Sequence, residues 1–266
     1  MIASTVGRSH HRARRGSQDA CALRLGGGYA VAVVCDGCSG GESSEVGAGL
    51  GARFLAADLA RRLRNGSAVE DIGAASIAAL VDMLKETAQR CSVNDDDVTA
   101  VIASCLLFTV QVAVIAPERY CVFGVGDGLV RVNGRFIPVP APTDGAPDCP
   151  AYRLVNGLDH HASLRVHASG AASSLRSITI ATDGALELAA LTTLPEDHCG
   201  ALALFEQDER FVLNPSLATK HIAALGPQAP EDDCTVVVLR RRGPAQPDQH
   251  SGTVLGELDG GGMSCT

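Results

Sequence analysis

The chain has few aromatic residues, which make up 3% of its 266 residues, and tryptophan is absent. Sites that stack nucleic-acid bases or sugar rings need exposed aromatic faces, so the composition argues against both kinds of site. Positive charge is also scarce: 22 Lys and Arg stand against 30 Asp and Glu, for a formal net charge of -8. Because a nucleic-acid partner requires a basic face, none is expected.

Long hydrophobic runs are missing as well. No uncharged apolar stretch reaches the roughly 18 residues that a membrane span requires, and no signal-peptide core follows the basic cluster from Arg12 to Arg15. We therefore expect neither a membrane partner nor export, and we interpret the protein as cytoplasmic. Apolar residues still form 46% of the chain, which is enough for a full core in one domain over 1–242. The polar, Gly-rich segment 243–266 is predicted to be a disordered tail.

Ten cysteines are present, and most of them lie inside apolar runs, as do Cys35, Cys105, Cys121 and Cys234. In a cytosolic protein such residues are interpreted as free thiols that pack like small hydrophobic side chains. Cys35 and Cys38 form a CxxC pair, but no second pair stands at zinc-finger spacing. A zinc or redox site is therefore not expected there.

The hydrophobic pattern of the first hundred residues predicts a buried strand followed by two long helices. The near-continuous apolar run Tyr29–Cys35 indicates a strand buried on both faces. Ser43 or Ser44 can cap a helix that ends at Asn65-Gly66, and a second helix is predicted over Asp71–Cys91. Because glycine destabilises a helix, three glycines in the first helix predict close approach to another backbone: Gly47, Gly49 and Gly51.

Strands dominate the remainder of the predicted domain. The expected strands are Thr99–Phe108, Val110–Ile115, Arg119–Val125, Leu129–Val132, Phe136–Val139, Ser163–His167, Leu175–Thr182 and Thr235–Arg240. Asn133-Gly134 predicts a two-residue hairpin turn between two of them. Helices are expected over Pro195–Gln207 and Pro215–Leu225. This order suits an α+β fold, a four-layer α-β-β-α sandwich of two stacked antiparallel sheets flanked by helices.

Four aspartates each end an apolar run or lie in the turn after it: Asp36, Asp127, Asp183 and Asp232. Three of them precede glycine, which allows a sharp turn and leaves a carboxylate at the edge of the sheet. One such corner is an ordinary turn. Several that converge would build an oxygen-only site for hard divalent cations, so the pattern indicates a metal-dependent hydrolase.

The same residues carry a resemblance to a known family. In order, they are Arg14-Arg15-Gly16-Ser17-Gln18-Asp19, Val34-Cys35-Asp36-Gly37, Gly126-Asp127-Gly128, Ala181-Thr182-Asp183-Gly184 and Asp232-Asp233-Cys234-Thr235. This series resembles the motifs of the metal-dependent serine/threonine protein phosphatases, the PPM or type 2C family, in their bacterial form. The likeness covers about residues 5 to 241, and five motifs in the family's order are far more specific than any one of them.

The resemblance implies a role for individual residues. Asp36 matches the carboxylate that bridges two Mn²⁺ or Mg²⁺ ions, and the Gly37 carbonyl matches a ligand of the first ion. Asp183 and Asp232 match ligands of the second ion. Asp19 matches the acidic residue that holds metal-bound water.

Three further matches concern the substrate and a third ion. Arg14 matches the arginine that grips the substrate phosphate, a role that suits a planar, permanently charged guanidinium. Asp127 and Glu187 match the carboxylates that hold a third, looser metal ion in bacterial members.

The implied activity is hydrolysis of phosphoserine and phosphothreonine in proteins, by attack of a metal-bridging hydroxide. The implied partners are a phosphoprotein substrate and a cognate Ser/Thr kinase, and a monomer is expected. One alternative is a catalytically weak, phosphatase-like regulatory module that binds a phosphoprotein or a kinase. Another is the same fold acting on a small phosphorylated metabolite or an anti-sigma antagonist.

Several positions depart from the family pattern. Ser17-Gln18 replaces the usual pair ahead of Asp19, the glycine loop 38–42 lacks the histidine that often ends it, and Gly128 replaces serine. The flap region 143–172 is short. The tandem histidines His160-His161 in that region and His10-His11 near the start are interpreted as incidental.

Overall fold

The computed structural model describes residues 1–139, 147–155, 164–190 and 200–241. Its strands are β1 (Ile2–Thr5), β2 (Ala20–Gly26), β3 (Tyr29–Gly37), β4 (Phe108–Ile115), β5 (Arg119–Val125), β6 (Leu129–Val132), β7 (Arg135–Ile137), β8 (Arg165–Ala171), β9 (Ser177–Ala181) and β10 (Cys234–Arg240). Its α-helices are α1 (Arg8–Ala13), α2 (Ser44–Arg64), α3 (Ile72–Cys91), α4 (Asp95–Val101), α5 (Ala185–Ala190), α6 (Ala201–Gln207), α7 (Glu209–Leu213) and α8 (Pro215–Ala223). The predicted tail 243–266, the pair His160-His161 and the start of the predicted helix Pro195–Gln207 lie outside the described residues.

Two antiparallel five-stranded sheets form the centre of the fold. The first has the order β2-β3-β4-β5-β8 and the second the order β1-β10-β9-β6-β7. Apolar side chains from both sheets share one core between them, including Val34, Val122, Ile180 and Val237. Helices α2 and α3 cover the first sheet, and α5 to α8 cover the second. The predicted four-layer α+β sandwich is confirmed. Among the described helices, none combines the length and the apolar character that crossing a membrane would require.

Strand β3 is buried on both faces, as predicted from its apolar run. Val31, Val33 and Cys35 pack beneath α2 and α3. Ala32 and Val34 alternate with them and face the second sheet. Because successive residues of a strand point to opposite faces, a strand at the centre of four layers must be apolar at every position. Each large side chain buried in this way contributes about 1.5–3 kcal/mol, and Cys35 is a free buried thiol.

The predicted hairpin between β6 and β7 is also confirmed. Asn133 and Gly134 both have positive φ angles, 53° and 82°. A type I′ turn, whose twist matches that of the flanking strands, requires positive φ at both central residues. The Asn133 side chain adds a tertiary contact, because its Oδ1 accepts hydrogen bonds from the backbone N–H groups of Arg176 (2.6 Å) and Ser177 (3.2 Å). The turn therefore also anchors the start of β9.

The strand predicted over Thr99–Phe108 is wrong. Those residues belong to α4 and to a π-helical turn over Ile102–Leu106, and the strand begins only at Phe108. The helix has a local start signal, since the Asn94 side chain accepts a hydrogen bond from the Asp97 N–H at 3.1 Å. Ile102 and Leu106, four residues apart, are buried beside α2 and α3. Packing of one helical face thus prevails over the β propensity of the run. Helix α1 is a second element that the pattern does not predict.

The glycines of α2 bear out the prediction of close approach at only one position. A Cβ on Gly47 would lie 2.6 Å from the Cys105 carbonyl oxygen and 2.7 Å from the Cα atom of Leu106. Gly51 instead faces the ring of Phe108, 2.4 Å from such a Cβ, and apart from the helix's own backbone no atom of the described residues lies within 4 Å of a Cβ on Gly49. The prediction is therefore right for Gly47 and wrong for Gly49. Helix α2 sits directly on the π-helical turn because Gly47 has no side chain.

We expect Gly47→Ala to lower the free energy of unfolding by about 1–3 kcal/mol, because the added methyl group would displace a packed backbone. Gly49→Ala is the matched control in the same helix and should raise stability by up to about 1 kcal/mol through helix propensity. Denaturant unfolding of both variants measures the effect. Equal stabilities would show that α2 can shift without cost.

Candidate metal centre

The four aspartates singled out in the sequence lie at the ends of strands from both sheets. Asp36 is the penultimate residue of β3, and Asp127 is in the connection between β5 and β6. Asp183 follows β9, and Asp232 precedes β10. All four line one cavity of about 200 Å³, whose other lining residues are His10, Gln18, Gly37, Cys38, Ser39, Thr109, Pro147 and Asp233. The two stacked sheets therefore bring together carboxylates that are almost two hundred residues apart.

The turn after Asp183 fits only glycine. A Cβ on Gly184 would lie 2.1 Å from the Asp233 carbonyl oxygen. This contact keeps the β9–α5 corner against the start of β10. Asp183 and Asp232 are held side by side as a result.

A larger cavity, of about 460 Å³, lies at the opposite end of the same strands, where Ala30 pairs with Ile115. Its walls are mainly apolar, with Leu23, Leu175 and Val238 among them, and contain no acidic residue. Size alone would favour this cavity. The chemistry favours the smaller one, because that is where ionisable groups converge.

The carboxyl groups of the smaller cavity perturb one another. Burial, followed by the charges of Asp19 and Asp183, raises the pKa of Asp36 well above its usual range. Burial raises the pKa of Asp183, and the charge of Asp232 adds to the effect. Burial and the charge of Asp183 raise the pKa of Asp127 in the same way. A site that makes negative charge this costly would gain from bound cations.

Asp19 lies beside the cavity rather than in its wall. Its Oδ2 accepts a hydrogen bond from the Thr182 hydroxyl at 2.8 Å, and burial is the largest cause that raises its pKa to about 7. Its Oδ1 and the Oδ1 of Asp183 are both buried without a hydrogen-bond partner among the described residues. Unpartnered carboxylate oxygens in an oxygen-rich cavity are the ligands that Mn²⁺ and Mg²⁺ prefer, so the residues present fit such ions.

Asp233 connects three parts of the segment before β2. Its Oδ1 accepts a hydrogen bond from the Gly7 N–H at 2.7 Å, and its Oδ2 accepts one from the Gln18 N–H at 2.6 Å. The same Oδ2 lies 2.8 Å from Nδ1 of His10. Asp233 is 3% exposed, so these contacts are shielded from water. The Asp233 carboxylate therefore holds both ends of the segment 7–18, which contains α1, against the cavity.

His10 is the cavity residue that sequence reasoning missed, because we interpret the His10-His11 pair as incidental. One ring nitrogen of His10 and one carboxylate oxygen each of Asp232 and Asp233 lie within 4.8 Å of one another. Nothing in the sequence separates His10 from its exposed neighbour His11. The two side chains leave α1 in different directions, and of the two only that of His10 lines the cavity.

Besides Asp19, two further predicted site residues lie outside the cavity wall. Arg14 is exposed, ends α1 with a left-handed φ of 57°, and does not line the cavity. Glu187 is exposed in α5, and its two carboxylate oxygens accept the Glu231 N–H at 3.1 and 3.0 Å. The roles expected of Arg14 and Glu187 therefore stay predictions, as does third-ion binding by Asp127 with Glu187.

Comparison with known proteins agrees with the fold. The family model for protein phosphatase 2C matches residues 6–219, and the chain belongs to this family. Among solved structures, the serine/threonine phosphatase Stp1 from Staphylococcus aureus is similar at 14% identity and a TM-score of 0.59, covering 91% of this chain and 94% of that one. Comparison with curated proteins found no match.

Two other solved structures show the same fold. A serine-threonine phosphatase 2C from Toxoplasma gondii has 15% identity and a TM-score of 0.55, with 89% of this chain and 92% of that chain covered. PppA, described as a key regulatory component of the T6SS in Pseudomonas aeruginosa, has 18% identity and a TM-score of 0.52, with 90% and 96% covered.

The metal-free protein should lose stability as pH rises. The raised pKa values mean that the folded state keeps protons that the unfolded state releases near 3.8. This stabilisation is complete below that pH and is lost as pH rises through the folded pKa values, up to about 7 for Asp19. Melting temperatures in chelator should therefore fall between pH 4 and 8.

Added Mn²⁺ should reverse the loss at neutral pH, because ions that bind only the folded state raise its stability. Asp36→Asn is the control: it removes one buried charge, so its melting temperature in chelator should depend less on pH. A melting temperature independent of both pH and metal would contradict the assignment of this cavity.

Proposed function

We propose that the protein is a Mn²⁺- or Mg²⁺-dependent phosphomonoester hydrolase that removes phosphate from phosphoserine and phosphothreonine in proteins. The observation that supports it most strongly is the convergence of Asp36, Asp127, Asp183 and Asp232 on one cavity of a protein phosphatase 2C fold. Family membership supports the class of reaction. The geometry of the carboxylates supports the place where it occurs.

Asp36, Gly37, Asp183 and Asp232 would hold the ions, with Asp36 shared between two of them. Bound divalent cations would lower the pKa of water and screen the negative charge of the phosphate. Asp36 suits the shared position because its half-buried carboxyl group lies at the end of β3 and lines the same cavity as Asp183. A carboxylate held in one position fixes the position of the cations that it binds, so the site need not reorganise during the reaction.

Asp19 and Thr182 would organise the polar groups beneath the ions. The Thr182 hydroxyl donates to Asp19 and accepts the Thr235 N–H at 3.0 Å, so it joins β9 and β10 to the Asp19 carboxylate. The Oδ1 atom of Asp19 has no hydrogen-bond partner among the described residues and would accept a hydrogen bond from a water molecule. Arg14 would bind the substrate phosphate, as its match to the family motif implies, and its exposed side chain is accessible for that contact.

The regulatory-module alternative keeps one specific observation in its favour. Arg14 lies outside the cavity wall, and the carboxylate of Glu187, which also lies outside it, accepts the Glu231 N–H. Such a protein would bind metal ions and a phosphoprotein or kinase with little turnover. Hydrolysis measurements separate the two proposals directly.

Asp36→Asn should reduce turnover by at least about 10²-fold, because an amide cannot bridge two cations as a carboxylate does. The assay compares an aryl phosphate, a phosphothreonine peptide and a small phosphorylated metabolite, each with Mn²⁺, Mg²⁺ or chelator. Circular dichroism checks that the variant is folded. Near-normal turnover would remove Asp36 from the centre of the mechanism, and an inactive wild type that still binds metal would favour the regulatory module.

Arg14→Ala should raise KM for the phosphopeptide by about tenfold, because it removes a charged contact to the phosphate. Arg64→Ala is the matched control, since Arg64 is an exposed arginine in the last turn of α2. Its kinetic constants should equal those of the wild type. Unchanged kinetics in Arg14→Ala would identify that residue as a surface charge.

A further inference from the structure

His10 lies in the wall of the carboxylate cavity, and its ring is held by a buried acid. Its side chain is 12% exposed, and that of Asp233 is 3% exposed, with 2.8 Å between Nδ1 and Oδ2. Among the described residues, no hydrogen bond to the other ring nitrogen, Nε2, is found. The Nε2 atom is not fully buried, so it is accessible to a ligand or to water. The ring therefore has one committed nitrogen and one available nitrogen.

The contacts of Asp233 decide which nitrogen carries the proton. Both of its oxygens already accept backbone N–H groups, from Gly7 and from Gln18. An acid that accepts hydrogen bonds at both oxygens behaves as a carboxylate, and a carboxylate can only accept from Nδ1–H. In neutral His10 the lone pair is then on Nε2. A histidine whose other nitrogen donates to a carboxylate is the usual arrangement of a metal-binding histidine.

Asp233 itself is a poor candidate for direct coordination, although its ligand atoms lie within 4.8 Å of those of His10 and Asp232. Its two oxygens are occupied by three hydrogen bonds, two of which fix the backbone. Asp232 is different, because it is exposed and its carboxylate accepts a single hydrogen bond from the described residues, that of the adjacent Asp233 N–H at 2.8 Å. The cluster thus contains the imidazole of His10, the Asp233 carboxylate that orients it, and the Asp232 carboxylate, which is accessible to an ion.

We propose that His10 is a nitrogen ligand of the ion that Asp232 binds, with Asp233 as its positioning residue. The inference rests on the metal-binding part of the proposed function and not on hydrolysis. It changes the expected chemistry of the site from oxygen-only to mixed nitrogen and oxygen. Imidazole suits Mn²⁺ and later transition metals, whereas Mg²⁺ prefers oxygen ligands, so His10 favours Mn²⁺ over Mg²⁺.

The test uses the full-length protein loaded with Mn²⁺ alone, without substrate. Pulsed electron paramagnetic resonance detects a nitrogen bound to Mn²⁺ through its nuclear modulation of the electron spin echo, and ¹⁵N-histidine labelling assigns that nitrogen to a histidine. His10→Asn removes the ring but keeps a polar side chain. His11→Asn is the matched control, because His11 is an exposed neighbour in the same short helix.

We expect histidine-nitrogen modulation in the wild type and in His11→Asn, and its loss in His10→Asn. Calorimetry should show about tenfold or weaker Mn²⁺ binding in His10→Asn, with Mg²⁺ affinity changed by less than about threefold. Asp233→Asn should weaken the Mn²⁺ affinity in the same direction, and a lower melting temperature would reveal any wider loss of the fold.

Modulation that persists in His10→Asn, or is absent in the wild type while Mn²⁺ is bound, would overturn the inference. Equal losses of Mn²⁺ and Mg²⁺ affinity would also overturn it, because they would indicate damage to the cavity as a whole. These results are independent of turnover. Histidine modulation without any hydrolysis would support the nitrogen ligand and contradict the proposed function. Hydrolysis without histidine modulation would support the proposed function and contradict the nitrogen ligand.

Discussion

The mutual repulsion of Asp19, Asp36 and Asp183 is the constraint on which the site depends. These carboxyl groups are half-buried, and their pKa values are raised first by desolvation and then by the charges of neighbouring aspartates. Flexible chain would move such groups apart. Here they are carried by strand ends whose pairing and two-sided burial prevent relaxation, so the stability of the sandwich maintains a local arrangement that is unfavourable without cations. Divalent cations bound in this cavity would relieve that repulsion.

Asp233 and Thr182 show how the polar groups around the cavity are kept in register. Thr182 ties the ends of β9 and β10 to Asp19, and Asp233 ties the start of β10 to Gly7 and Gln18. Every connection joins residues that are distant in the chain. A buried carboxylate with satisfied oxygens can act in this way because its hydrogen bonds to N–H groups are strong and its desolvation is compensated.

Much of the architecture could be predicted from local patterns that the fold preserves. Asn133-Gly134 specifies its turn through backbone conformation alone, and the β3 run specifies burial on two faces. The run beginning at Thr99 was misread because β propensity depends on packing, and this segment packs on α2 through Gly47. His10 could not be distinguished from His11, since the difference is the direction in which a short, unpredicted helix presents each ring. The order of the motifs identified the acidic residues. It could not show which of their side chains make other hydrogen bonds, as Glu187 does with the Glu231 N–H.

The strand order of the second sheet also bears on how the protein is made. Strand β10 lies between β1 and β9, and Ile2 pairs with Val237. During synthesis β1 emerges before the other described strands and cannot pair until β10, the last of them, appears, whereas four strands of the first sheet can pair as soon as β5 has emerged. Asp232 and Asp233 arrive with that last strand. A nascent chain therefore cannot complete the acidic cavity early, and a fragment truncated before residue 230 would contain every strand of the first sheet but would lack Asp232 and Asp233.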